Sequence, residues 1–133
     1  METEELIIER MSPWDFEKTI ELICGAAKKR KWNMPAVHDL QHSLAKEGKD
    51  VDPVTIIEIC KPEYSGQLLE LSEERIASVM MPCRISVYLK DDGNTYVAMI
   101  NSVILAAHMP DTVRDVMIVA SDEVNEIIDS VIS

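Results

Sequence analysis

Apolar positions recur along this chain with two different periods, and the alternation between them predicts the elements. Leu6-Ile7-Ile8 is a short apolar run with the character of a strand. Ser12-Pro13 then reads as an N-cap and first helical residue, with Asp15 three positions after the serine. Phe16, Ile20, Ile23 and Ala27 follow at helical spacing as one buried stripe, and Lys28-Lys29-Arg30-Lys31 closes the helix with cations that complement its dipole. Residues 33–38 read as extended, with Pro35 marking a sheet edge or strand start. Asp39 caps a short helix running to about Lys46, which Gly48 ends. Val54 to Cys60 is dense in β-branched residues and predicts a strand, and Pro62 opens a helix to Leu71. Arg84 to Leu89 and Thr95 to Ile100 flank Asp91-Asp92-Gly93-Asn94 as a hairpin. A short helix from Ser102 to Met109 breaks at Pro110. Val113, Val116, Met117, Ala120, Val124, Ile127, Ile128 and Val131 then hold the helical period through the last element.

Helices and strands alternate and then give way to a hairpin, which predicts an α+β fold with an antiparallel or mixed sheet and helices packed on one face. No linker or repeat divides the 133 residues, so positions 1–133 are read as a single domain. Lys and Arg number 13 against 24 Asp and Glu, a formal net charge of −11. That balance excludes a phosphate-backbone binder and disfavours an anionic membrane surface as partner. The acidic start, Met1 to Glu5, lacks the basic and apolar pattern of a secretory signal, and no apolar run is long enough to span a bilayer. Cys24, Cys60 and Cys83 are odd in number and widely spaced, unlike a disulfide scaffold. The expectation is a cytoplasmic protein with reduced thiols.

Candidate chemistry centres on two of those thiols. Cys60 ends a strand two residues before Pro62, so the N-terminus of the next helix and the neighbouring Lys61 would favour a thiolate there. The competing reading is a small apolar residue at a strand end. Cys83 shares a strand face with Ile85, Val87 and Leu89, which favours burial, while Pro82 before it could leave the thiol at the sheet rim. Arg84 points to the opposite face. Alternation puts Cys60 on the face of Glu58, so the two thiols need not meet. Cys24 reads as core. His38, Cys60 and Cys83 form a soft nitrogen–sulfur set suited to a thiophilic metal such as Zn or Cu, with Met80, Met81 and Met99 as further soft donors, although the spacing fits no standard zinc signature. No phosphate loop, nucleophile elbow or metalloprotease helix occurs. The carboxylates Asp115, Asp122, Glu123, Glu126 and Asp129 are expected on the solvated side of the last helix.

Thr55 to Pro62, followed by Met80-Met81-Pro82-Cys83-Arg84-Ile85-Ser86-Val87-Tyr88, resembles the family catalogued as domain of unknown function 302. Its pattern is a strand ending in Cys-Asn-Pro, a helix, and Leu-Pro-Cys opening a hairpin. Val37-His38-Asp39-Leu40-Gln41, Asp92-Gly93-Asn94-Thr95-Tyr96 and Met99-Ile100-Asn101 resemble a subgroup, so the likeness spans about residues 4–132 and adds Lys61, Arg84, Met99 and Asn101 to the candidate residues. Lys61 stands where many members have asparagine. The resemblance implies a curved, mainly antiparallel sheet with helices on one side, in a TATA-box-binding-protein-like arrangement, and a homodimer. The functional expectation is a thiophilic metal or a sulfur species bound through Cys60 and Cys83. The alternatives are an interaction module that acts as a homodimer, with packing cysteines, and a sulfur-transfer or thiol-redox enzyme acting on a small ligand or thiol partner.

Overall fold

The computed structural model describes residues 6–132. Five strands form one sheet in the order β1-β5-β4-β3-β2, with every neighbouring pair antiparallel. In chain order the elements are β1 (Ile7–Met11), α1 (Phe16–Lys29), β2 (Asn33–Asp39), α2 (Leu40–Ala45), β3 (Val54–Cys60), α3 (Pro62–Leu69), a 3-10 segment (Glu73–Met80), β4 (Cys83–Leu89), β5 (Thr95–Ile100), α4 (Ser102–Ala106) and α5 (Asp111–Ile132). This is the expected α+β class. Among the described residues, no helix is long and apolar enough to cross a membrane.

Strand alternation builds the core. Ile57 and Ile59 of β3, Ile85 and Val87 of β4, and Val97 and Met99 of β5 point to one face. Ile23 and Ala27 of α1 and Val124, Ile127 and Ile128 of α5 cover that face. A second, smaller cluster gathers Leu68, Ala77 and Val113, with Met80, Met81, Met109, Val116 and Met117 against it. The two clusters meet along α5. Arg10 of β1 pairs with Asp129, and Arg30 reaches Glu126 at 2.6 Å, so ion pairs clip β1 and the end of α1 onto the same helix.

Several boundaries differ from the sequence reading for identifiable reasons. Asp15, not Ser12, caps α1: its side chain accepts from Lys18 N at 2.8 Å. Ser12 is still held to the sheet, its N–H donating to Thr95 O at 2.8 Å, while its hydroxyl lies buried 2.7 Å from Thr19 Oγ1. The 3-10 segment has no counterpart in the pattern analysis. It buries Ala77 but leaves Ile76 and Val79 exposed, a three-residue rhythm that matches neither strand nor α-helix. Pro35 lies where expected, in edge strand β2, and Asp39 caps α2 by accepting from His42 N at 2.9 Å.

A Schellman cap ends α1. Trp32 N donates to Ala27 O at 3.0 Å and Lys31 N to Lys28 O at 2.9 Å, the paired bonds of that motif. Lys31 takes the left-handed conformation (φ 65°) that glycine usually supplies. The cap folds the chain back so that Trp32 is buried against α1 and α5.

Candidate functional site

A cleft of about 460 Å³ opens where β3 and β5 end and β4 begins. The α3 helix, the 3-10 segment, α4 and the first half of α5 close around it, so it lies between the two apolar clusters. At strand ends, residues of both alternating faces border the space. That is how Cys60, which shares a face with Glu58, and Cys83, paired with Ile59 and facing the core, come to line one cleft. Met80, Met81, Met99 and Met117 add thioether sulfur to the two thiols.

Cys60 donates to Ser65 Oγ at 3.4 Å, a contact made possible because Pro62 starts α3 and brings Ser65 back over the strand end. Burial pushes the Cys83 thiol up, and charge on Cys60 would push it further, so Cys83 is a protonated thiol at neutral pH. Burial likewise raises the Cys24 thiol, which lies away from the cleft on α1. All three cysteines are free.

One wall of the cleft is a hydrogen-bonded network built on Glu123 of α5. Lys61 Nζ donates to its Oε1 at 2.6 Å, Trp32 Nε1 donates to the same oxygen at 2.8 Å, and the Tyr64 hydroxyl donates to Oε2. Lys61 Nζ also lies 5.5 Å from the centre of the Tyr64 ring. Partial burial pushes the Glu123 carboxyl upward, but the three donors outweigh it and the net shift is downward. The bond to Glu123 pushes the Tyr64 hydroxyl up to about 12.

This corrects two expectations. Glu123 does not sit on the solvated side of the last helix: its side chain is 16% exposed. Its position was readable, because it falls three residues after Ala120 and four before Ile127, at the margin of the buried stripe. Lys61, expected to favour a thiolate at Cys60 as a nearby cation, is paired with Glu123. It stands at the N-cap of α3 without a side-chain hydrogen bond to cap the helix.

The nitrogen–sulfur set does not assemble. His38 pairs with Ile56, four residues along β3 from Cys60, and its Nε2 lies 3.1 Å from Glu58 Oε2. Arg84 reaches the same carboxylate oxygen at 3.2 Å. The His38 imidazole and the Arg84 guanidinium hold Glu58 below the ordinary carboxylate range, against the effect of burial. Among the described residues, no group of three or more His, Cys, Asp or Glu could hold a metal ion. Met99 is buried in the cleft wall and core, whereas Asn101 lies beyond β5, its N–H donating to Leu6 O at 2.7 Å.

Sequence reasoning missed Ser121. It is 4% exposed and lines the cleft from α5, and among the described residues its Oγ has no hydrogen-bond partner.

The family described as "Domain of unknown function DUF302" matches residues 8–133. The chain belongs to this family. A solved structure, that of an uncharacterized conserved DUF302 protein from Bacillus stearothermophilus, superposes with a TM-score of 0.85 at 19% identity, covering 95% of this chain and 98% of that one. At that identity the likeness shows the fold. It extends to the five-stranded antiparallel sheet with its helices and does not show a TATA-box-binding-protein-like arrangement. No curated protein matches the sequence.

Proposed function

We propose that this DUF302 protein binds a small, uncharged, mainly apolar molecule in the cleft, against the thiols of Cys60 and Cys83. The observation that carries the reading is a cleft of about 460 Å³ whose charged side chains are already neutralised in pairs. Small-molecule sites fall in roughly the 300–1,000 Å³ range and are lined mostly by apolar groups with a few polar ones. Lys61 is paired with Glu123 and Arg84 with Glu58, so the positive charge bordering the cleft is already offset by carboxylates. Methionine side chains are flexible and polarizable, which suits a wall that adapts to a guest.

A thiophilic ion or sulfur species held by Cys60 and Cys83 is the second reading, favoured by the concentration of sulfur in the same lining. It carries a cost, because Cys83 must lose a proton that burial retains. His38 takes no part in it.

The test is a titration with N-phenyl-1-naphthylamine, a neutral apolar fluorophore. The expected result is saturable enhancement at one site per chain, lost in Met117→Trp, which places a bulky ring in the cleft wall, with circular dichroism confirming that the variant folds. Absence of saturable binding to the wild type, or undiminished binding to a folded Met117→Trp, contradicts the proposal.

A further inference from the structure

Ser121 stands on the cleft-facing stripe of α5 with Met117, Ala120 and Val124. A serine inside a helix ordinarily satisfies its hydroxyl on the carbonyl one turn back or in water. Ser121 makes no such bond to the protein: the residue is 4% exposed and Oγ has no protein partner among the described residues. Leaving a buried hydroxyl unpaired is costly to the fold. The buried hydroxyl of Ser12, by contrast, lies 2.7 Å from Thr19 Oγ1. An unpaired donor in the wall of a mostly apolar cleft is a fixed polar point awaiting an acceptor.

We infer that Ser121 Oγ is the polar anchor of the site and that the ligand is an uncharged ketone or ester, donating nothing and accepting one hydrogen bond at its carbonyl oxygen. This rests on the cleft being a binding site and narrows what it takes. Three features converge on it. The Ser121 hydroxyl offers a donor without charge. The cations bordering the cleft, Lys61 and Arg84, are held by Glu123 and Glu58, so a carboxylate or phosphate gains little there. The remaining α5 side chains of the stripe are apolar and fit the body of the molecule rather than a second polar group.

The experiment compares two guests of nearly the same shape, 2-acetylnaphthalene and 2-ethylnaphthalene, as displacers of N-phenyl-1-naphthylamine. Wild-type protein is expected to favour the ketone roughly fivefold, as one net hydrogen bond allows. In Ser121→Ala that preference should vanish while the ethyl compound binds as before. Removing an unpaired buried hydroxyl should not lower the melting temperature of the unliganded protein, which separates loss of the anchor from loss of the fold. Equal binding of the two guests to wild type, or a ketone preference that survives in Ser121→Ala, overturns the anchor and leaves the cleft proposal standing. Failure of the fluorophore itself to bind overturns both.

Discussion

Lys61 Nζ lies 2.6 Å from Glu123 Oε1, and this pair fastens the residue that follows Cys60 to the middle of the last helix. The two side chains are 17% and 16% exposed, so neither charge is well solvated without the other. Trp32 and Tyr64 donate to the same carboxylate. The chain segments after α1, after β3 and at the start of α3 therefore converge on one side chain of α5. Charged groups removed from water hold their place only when both the pairing and the surrounding hydrogen bonds are complete.

Glu123→Gln should lower unfolding stability by about 2 kcal/mol or more, because it leaves Lys61 partly buried without its counter-charge. The carboxyl is held below its ordinary range in the folded chain. Its contribution is therefore full above the carboxylate range of the unfolded chain and declines as pH falls through the folded value. Urea unfolding between neutral and acid pH should show a steeper loss in wild type than in Glu123→Gln. Equal stability of the two proteins at neutral pH would sink the claim.

Tyr64 carries the opposite sign. Its folded value of about 12 lies above the roughly 10 of an unfolded tyrosine. The stabilisation is thus complete below the unfolded value and is lost as pH rises from there toward the folded one. Tyr64→Phe should be less stable than wild type at pH 9 and should lose less between pH 9 and pH 11. A variant that tracks the wild type across that interval would show that the hydroxyl contributes nothing through Glu123.

Lys31 adopts a left-handed backbone at the cap of α1, where a side chain is strained and glycine is not. Lys31→Gly should raise stability by about 0.5–1 kcal/mol, measured by thermal or urea unfolding. A decrease would mean that the lysine side chain contributes more than its backbone costs.

His38→Ala should leave fluorophore binding and any uptake of cadmium by the thiols unchanged, since its imidazole lies against Glu58. The double change Cys60→Ser/Cys83→Ser should abolish the thiolate-to-cadmium charge-transfer absorption. Loss of that absorption in His38→Ala would restore the three-residue ligand set.

Much of the architecture was legible because its signals are local. The β-branched run ending at Cys60, the Asp-Gly hairpin before Thr95 and the long stripe of α5 each announce themselves within a few residues. The two cysteine motifs marked the right end of the sheet, and both thiols line the cleft there. What could not be read depends on pairing between distant segments. The register shifts between Asn33 and Ala36, where Pro35 has no N–H to donate; the proline marks an irregular edge but not the partner that His38 then meets. The place of Glu123 at the margin of the stripe was readable, but its partners were not, because Trp32 and the Lys61–Tyr64 turn reach it from distant parts of the chain. Ser121 lacks any sequence signal beyond its place on an apolar stripe, since its significance lies in the absence of a partner.

The most direct test of the cleft as a binding site reads occupancy at the residues that line it. Wild-type protein would be alkylated with N-ethylmaleimide with and without saturating N-phenyl-1-naphthylamine, and each cysteine followed by peptide mass spectrometry. A bound guest should slow modification of Cys60 and Cys83 several-fold and leave Cys24, which lies outside the cleft, at its own rate. Equal rates at Cys60 and Cys83 with and without the fluorophore would contradict the account.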